Sequence, residues 1–195
     1  MKDSEEFYTK TKGGNPSGLL RLFFSMNYAK ELKGNIAIDL GAGAGNDALY
    51  LAEKGFKVTC IDKEEKSKEI ILSLKNDNLK FELQEFENLK LNKEDLINSC
   101  FSLHFCNPDK FEKMMTEITS SINKKGFFVG NFLGQEDEWN GNKQETFLDK
   151  EEVLNYFKNF KIMYFAEKKY IKDAIIDGTK NWHVFEIIAK KEWKD

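Results

Sequence analysis

The sequence predicts a single α/β domain with a mostly parallel β-sheet, helices on both faces and an antiparallel last strand. Apolar runs typical of strands alternate with helical patterns along most of the 195 residues. A glycine-rich turn follows the first of these runs, and an acidic residue ends the second. Because strand–helix–strand connections place consecutive strands parallel in one sheet, these observations favour a sheet with crossover helices.

Residues 1–33 are predicted to form a helical cap, and residues 34–195 form the α/β core. In the cap, Leu19, Leu22, Phe23 and Met26 recur at helical spacing, so one helix face is expected to pack against the sheet. The segment around Tyr8 precedes the turn signal GGNPSG and is expected to fold over the ligand-binding edge of the sheet.

The predicted strands of the core are residues 35–40, 57–62, 79–84, 95–101, 127–133, 161–166 and 183–189. Helices are predicted at 46–54, 64–75 and 150–157, and a longer one begins near Pro108 and ends with Lys124, Lys125 and a Gly126 cap. No helical pattern separates the last two strands, so the final strand is expected to run antiparallel.

Composition and charge restrict the class of function. The chain has 30 basic and 33 acidic residues, and this balance does not favour a protein that binds the phosphate groups of nucleic acid. The odd set of Cys60, Cys100 and Cys106 indicates reduced thiols, and their spacing with two histidines does not match a metal site. No signal-peptide core or membrane-spanning stretch is evident, so we expect a cytoplasmic protein with no membrane partner.

The glycine turn between the first strand and its helix points to a nucleotide-like ligand. Gly41, Gly43 and Gly45 have the spacing G-x-G-x-G, and Asn46 stands where a dinucleotide fingerprint has its third glycine. This departure disfavours NAD or NADP but leaves a nicotinamide-dependent oxidoreductase open as an alternative. A phosphate-binding Walker loop is excluded because no Gly-Lys-Ser/Thr follows the turn.

Two acids flank this turn. Asp62 ends the second strand 21 positions after Gly41, where a carboxylate can accept hydrogen bonds from both ribose hydroxyls. Asp39 directly precedes the turn, where it would repel a pyrophosphate but suit an ammonium group. A ligand with a ribose, an amino group and no phosphate satisfies both acids, and S-adenosyl-L-methionine is such a ligand.

The run AIDLGAGAGNDALYLAEKGFKVTCID resembles motif I of the class I S-adenosylmethionine-dependent methyltransferases, and the resemblance extends over nearly the whole chain. The N-terminal YTKTKG and the chain length are most similar to the tellurite-resistance and thiopurine methyltransferase branch. The resemblance implies a Rossmann-like, seven-stranded sheet. It also implies that Glu85 meets the adenine amino group and that Phe86 packs on the ring, although most members have Asp where this chain has Glu85.

The loops at the carboxyl ends of the parallel strands are expected to form the acceptor pocket. His104 follows the fourth strand and His183 is expected to begin the seventh, so we expect both on the same rim, as a base or a substrate contact. Phe101 is expected to contact the cofactor. Aromatic side chains attract a cationic methyl donor, and the pocket is expected to be edged by Tyr8, Phe105, Trp139 and Trp182.

These features favour an enzyme that transfers a methyl group from S-adenosylmethionine to a small-molecule acceptor by in-line displacement. The alternatives are the nicotinamide-dependent oxidoreductase and a protein that binds S-adenosylmethionine without catalysing transfer. We expect a monomer or a homodimer without a metal. The sequence does not identify the acceptor.

Overall fold

Seven strands form one sheet in the computed structural model, which describes residues 4–192. The strands are β1 (Ile36–Leu40), β2 (Lys57–Asp62), β3 (Leu79–Leu83), β4 (Glu94–Ser99), β5 (Ile122–Leu133), β6 (Phe160–Ala174) and β7 (Gly178–Lys191). Their order across the sheet is β3-β2-β1-β4-β5-β7-β6, and β7 pairs antiparallel with both β5 and β6. The other neighbouring strands pair in parallel, which confirms the predicted fold class.

Helices cover both faces of this sheet. They are α1 (Ser4–Thr11), α2 (Gly18–Ser25), α3 (Asn46–Glu53), α4 (Glu65–Ser73), α5 (Pro108–Ser121) and α6 (Lys150–Tyr156). Because successive side chains of a strand point to opposite faces, Phe127 of β5 joins the cluster with α2 and α3, whereas Phe128 joins the cluster with α5 and α6. Among residues 4–192, no helix combines the length and the apolar character that a membrane crossing requires.

The end of α5 differs from the prediction. The helix stops at Ser121 rather than at a glycine cap, and Ile122 has extended backbone angles and pairs with Glu94 as the first residue of β5. Lys124 and Lys125 therefore lie at the start of a strand. Gly126 does not have positive φ, and a Cβ at this position would come within 2.9 Å of Asn123 O. The glycine provides clearance in an irregular strand start, so the predicted helix cap was wrong.

The last two strands are much longer than predicted. β6 continues to Ala174 and β7 begins at Gly178, so the two form a long hairpin that extends past the edge of the sheet. The prediction that His183 begins the seventh strand was wrong, because charged residues interrupt the apolar pattern of this hairpin while the backbone pairing continues. The cap also contains an additional helix, α1, which precedes the turn signal.

Candidate active site

A cavity of about 630 Å³ opens at the carboxyl ends of β1 and β4, under α1 and beside the β6–β7 hairpin. Eight of the residues predicted for the site line it: Asp39, Gly41, Gly43, Phe101, His104, Phe105, Trp139 and Trp182. The sheet topology explains this convergence, since the loops that follow parallel strands meet at one edge. Six further predicted residues, Tyr8, Gly45, Asp62, Glu85, Phe86 and His183, do not line the cavity.

The glycine turn follows β1 and crosses the inner end of the cavity. Gly41, Gly43 and Gly45 all have positive φ, which L-residues with a Cβ rarely adopt. A Cβ at Gly41 would clash with the Ser102 side chain, and a Cβ at Gly45 would lie 2.9 Å from Cγ1 of Ile71. The turn therefore lies close against its neighbours and leaves its backbone open toward the cavity.

Asp39 presents a buried carboxylate to the cavity. Asn98 Nδ2 donates to Asp39 Oδ1 at 2.7 Å and to Asp47 Oδ2 at 3.0 Å, whereas Asp39 Oδ2 has no hydrogen-bond partner among residues 4–192. Burial, with a smaller contribution from the Asp47 charge, raises the pKa of Asp39 to about 8. A buried carboxylate oxygen without a partner at a cavity wall is suited to a hydrogen-bond donor of positive charge.

Asp62 ends β2 behind the glycine turn, and the cap covers it. Its Oδ2 accepts a hydrogen bond from the Gly43 N–H at 2.9 Å, and its Oδ1 accepts from the Tyr8 hydroxyl at 3.3 Å and from the Glu64 N–H at 3.1 Å. Tyr8 is itself buried, and burial together with the Asp62 charge raises the pKa of its phenol. The carboxylate predicted for ribose binding is thus held by a tyrosine of α1.

Two more hydrogen bonds fasten the cap across the turn. Asn46 Nδ2 donates to Thr11 O at 2.7 Å at the end of α1, and the Ser17 N–H donates to Asp47 Oδ1 at 2.6 Å before α2. Asn46, which departs from the dinucleotide fingerprint, therefore has a structural partner in the cap. We call residues 4–17 the N-terminal strap.

Aromatic side chains form the outer wall of the cavity. The rings of Phe101 and Trp182 meet edge to face with centroids 5.5 Å apart, and Trp182 stacks on Tyr170 at 6.3 Å. Phe101 has φ of 54°, an uncommon conformation for a bulky residue, and its N–H donates to the buried Asn131 Oδ1 at 2.6 Å. Strained backbone of this kind concentrates at functional sites, where surrounding contacts hold it in place.

A buried lysine lies behind this wall. Lys180 forms an ion pair with Asp137, and its Nζ lies 3.4 Å from the ring centroid of Trp139 and 3.9 Å from that of Trp182. The contacts fix the two indoles relative to each other, with ring centroids 5.4 Å apart. The wall is therefore ordered by a cation and its counter-ion rather than by apolar packing alone.

His104 lies at the foot of the wall and is 4% exposed. Its ring packs against Phe105 and Trp139, with centroids 4.0 Å and 5.9 Å away, and its Nε2 has no hydrogen-bond partner among the described residues. Burial and the nearby Lys180 lower the pKa of His104 to about 3. The imidazole is therefore neutral at physiological pH and too weak a base to hold a proton there.

His183 lies behind the cavity lining and has partners for both ring nitrogens. Nδ1 accepts a hydrogen bond from the Glu136 N–H at 3.1 Å, and Nε2 lies 3.1 Å from Glu167 Oε1. Its backbone amide donates to Asp137 Oδ2 at 3.1 Å, and its carbonyl accepts from the Gly134 N–H at 2.7 Å. These contacts hold the loop after β5 and leave no free ring atom for a substrate.

Glu85 and Phe86 follow β3 outside the cavity lining. Glu85 is exposed, and Phe86 is half-buried at the start of a 3₁₀ turn, Phe86–Asn88. Cζ of Phe86 would lie 3.5 Å from a Cβ at Gly41, so the ring is next to the glycine turn. The positions are compatible with adenine contacts, which stay a prediction.

Several residues of the cavity were not anticipated. Tyr170, Asp173 and Asp177 come from the long hairpin, and Glu145 comes from the loop after β5. The hairpin residues lie in the charged run EKKYIKD, which gives no alternating strand pattern from which they could have been predicted. Asp47 and Asn98 were missed because only the fold shows that they share a hydrogen-bond network with Asp39.

Known proteins share this fold. The structure superposes on TehB from Haemophilus influenzae with a TM-score of 0.77 and 19% identity, covering 97% of this chain and 67% of that one. The 1,6-didemethyltoxoflavin-N1-methyltransferase of Burkholderia thailandensis, solved with 1,6-didemethyltoxoflavin and S-adenosylhomocysteine bound, gives a TM-score of 0.66 at 17% identity, covering 90% of this chain and 79% of that one. An S-adenosylmethionine-dependent methyltransferase from Clostridium acetobutylicum gives 0.66 at 14%, covering 95% and 92%.

Sequence comparison adds a family assignment. No curated protein is significantly similar in sequence to this chain. The family model described as tellurite resistance protein TehB, however, matches residues 24–173, which is more than half of the chain and includes the glycine turn, β1 to β5 and most of β6. The chain therefore belongs to the TehB tellurite resistance protein family.

Proposed function

We propose that the protein is a methyltransferase that uses S-adenosyl-L-methionine to methylate a small molecule. The observation that carries the proposal is the unpartnered Asp39 carboxylate oxygen beside the G-x-G-x-G turn, in a cavity large enough for a nucleoside and an acceptor. A buried carboxyl group at this place, which a bound cation would drive into its ionised form, fits the ammonium group of an amino-acid-bearing adenosine. The three positive-φ glycines give the space that such a ligand needs.

The residues have separate roles in this proposal. Asp39 holds the ammonium group, Asp62 holds the ribose hydroxyls once the Tyr8 hydroxyl has moved away, and Phe86 lies on the side of the glycine turn where adenine would pack. When bound, the cofactor would supply a methyl group on a positively charged sulfur. A nucleophile could attack the methyl carbon in line, with the sulfur as the leaving group. Phe101 and Trp182 would face this charge with their rings, exclude water and hold the acceptor in orientation.

The chemistry requires no histidine base. His104 stays neutral because its pKa is about 3, and both ring nitrogens of His183 have partners in the loop after β5. We therefore assign His104 to substrate contact and His183 to loop structure. The three cysteines are unpaired, in keeping with a cytoplasmic location, which we propose for the enzyme.

Calorimetry with S-adenosylhomocysteine, S-adenosylmethionine and NADH tests the proposal. Binding of the first two, with no heat from NADH, is the expected result. The absence of heat and of any thermal stabilisation with both adenosyl ligands would overturn the proposal, and NADH binding alone would favour an oxidoreductase.

The variant Asp62→Ala tests the ribose role. We expect S-adenosylhomocysteine to bind at least about tenfold more weakly, because each hydrogen bond to a charged group contributes about 1.5–3 kcal/mol. Asp77→Ala, at an exposed acid outside the cavity lining, is the matched control. Equal affinities of Asp62→Ala and the wild type, with both proteins folded by circular dichroism, would refute this role.

A further inference from the structure

We propose that the methyl acceptor is an amine or a nitrogen heterocycle that enters the cavity as a cation, rather than an oxyanion. The cation loses its proton to a carboxylate of the lining or to water, and the freed nitrogen lone pair then attacks the methyl carbon as the bond between that carbon and sulfur breaks. The inference rests on the proposed function and identifies the substrate class of the same cavity. Three independent features support it: the charge of the lining, the aromatic wall, and a neutral hydrogen-bonding group at its foot.

The cavity lining carries an excess of negative charge. The outer part of the lining contains Glu145, Asp173 and Asp177, whereas Lys172 is the only lysine or arginine among the lining residues that the structure describes. Glu145 is half-buried, and burial raises the pKa of its carboxyl group, so this acid is partly withdrawn from solvent. An anionic acceptor would be repelled by this lining, and a cation would be attracted.

The aromatic wall favours a cation for a second reason. The rings of Phe101, Tyr170 and Trp182 are linked by edge-to-face and stacked contacts, and all three line the cavity. The π-faces of such rings attract ammonium groups most strongly where water is excluded. Trp182 already holds a cation on the wall's inner side, Nζ of Lys180, at 3.9 Å from its ring centroid.

The positive groups near the wall do not cancel this preference. Lys180 is buried against Trp139 and Trp182 and is neutralised by Asp137. Lys172 is exposed, and its neighbour in the chain, Asp173, also lines the cavity. Neither lysine therefore forms part of an oxyanion site, because such a site needs several convergent hydrogen-bond donors.

His104 adds a polar contact without charge. It is 4% exposed, lines the cavity and has an unpartnered Nε2. Because the ring stays neutral, it can accept a hydrogen bond from an ammonium or N–H group without repelling a cation. A buried polar atom without a partner indicates a ligand that supplies one.

Three ligands that differ in charge test the inference: phenethylamine, 2-phenylethanol and phenylacetate. Each is titrated by calorimetry into the protein saturated with S-adenosylhomocysteine, and the same series is run without S-adenosylhomocysteine. The expected order of affinity is amine, then alcohol, then carboxylate, and selenite and tellurite are expected not to bind. Raising the salt concentration should weaken the amine and leave the alcohol unchanged.

Isosteric variants identify the carboxylates involved. Glu145→Gln and Asp173→Asn keep the acceptor oxygens that contact Asn142 and Thr179 but remove one charge each. Each should weaken phenethylamine about threefold to tenfold while leaving S-adenosylhomocysteine binding unchanged. Glu151→Gln, on the exposed face of α6, is the control and should change neither affinity.

Equal binding of the three ligands, including no binding by any of them, would overturn the inference, as would tighter binding of phenylacetate, selenite or tellurite. Amine binding that Glu145→Gln and Asp173→Asn both leave unchanged would overturn it as well. If S-adenosylhomocysteine binds and the amine does not lead the series, this inference alone fails. If S-adenosylhomocysteine does not bind, the proposed function fails. The titrations without S-adenosylhomocysteine then measure the charge preference of the cavity by itself.

Discussion

Asp39 is the residue whose environment says most about the ligand. It lies at the inner end of the cavity, where Asn98 supplies one hydrogen bond and the second carboxylate oxygen has no partner among residues 4–192. Burial raises its pKa to about 8, so that the cofactor-free protein keeps a proton on this group at neutral pH. A bound ammonium would favour the ionised form, so the residue couples ligand binding to proton release.

The raised pKa of Asp39 should make the stability of the folded protein depend on pH. The folded protein holds a proton on Asp39 more tightly than the unfolded chain, so its contribution to stability is complete below about pH 4 and is lost as pH rises toward about 8. We expect Asp39→Asn to gain melting temperature relative to the wild type across this range, by at least about 3 °C, which corresponds to roughly 1 kcal/mol for a chain of this size.

The measurement is thermal unfolding by circular dichroism between pH 5 and pH 9, with Asp77→Asn as the control at an exposed acid. A difference between Asp39→Asn and the wild type that does not change with pH would contradict the assignment. Calorimetry of S-adenosylhomocysteine in buffers of different ionisation enthalpy should also detect proton release at pH 7 in the wild type and none in Asp39→Asn.

At the scale of secondary-structure elements, the N-terminal strap and the β6–β7 hairpin close the two sides of the cavity. The strap binds across the glycine turn through Tyr8, Thr11 and Ser17. The hairpin contributes most of the outer wall, and the loop after β5 is fixed to it by His183. Ligand entry therefore depends on elements outside the glycine motif.

The strap and a ribose compete for the same carboxylate. Tyr8→Phe removes the hydroxyl that occupies Asp62 Oδ1 and keeps the ring beside Gly43. We expect S-adenosylhomocysteine to bind about threefold to tenfold more tightly, because the ribose no longer has to displace the Tyr8 hydroxyl from Asp62. Tyr50→Phe, on α3, is the control in calorimetry. Unchanged or weaker binding by Tyr8→Phe would show that its hydroxyl does not compete with the ligand.

The loop after β5 should depend on a glycine. A Cβ at Gly134 would clash with the His183 ring and force it away from Glu136 N and Glu167. We expect Gly134→Ala to cost about 2–4 kcal/mol of unfolding free energy, equivalent to a fall in melting temperature on the order of 5–10 °C. Gly18→Ala, where a Cβ meets open space, should change little. Equal melting temperatures of the two variants would contradict this reading.

At the scale of the whole molecule, the strand order brings the loops after β1, β4 and β5 to one edge, and the antiparallel β7 places Trp182 near them. Strand alternation and the glycine turn predicted this arrangement because they are local patterns with a fixed consequence for topology. The same logic predicts that Phe101, His104, Phe105, Trp139 and Trp182 lie around one cavity, and all five line it.

Other features depend on contacts that no local pattern encodes. The covering of Asp62 by Tyr8 joins residues 54 positions apart in sequence. The end of α5 at Ser121 depends on pairing between Ile122 and Glu94, which overrides the lysine–glycine signal further on. His183 was expected on the rim, but its role was not predictable because it depends on how far the hairpin extends beyond the sheet.

The most direct test of the account is a crystal structure with S-adenosylhomocysteine bound. We expect the ligand in the 630 Å³ cavity with its ammonium group on Asp39 and its ribose hydroxyls on Asp62. The Tyr8 hydroxyl should have left Asp62, and the aromatic wall should face the sulfur with space for an acceptor. A ligand bound elsewhere, or an intact Tyr8–Asp62 hydrogen bond with the sulfur sealed from the cavity, would contradict the proposed methyl transfer.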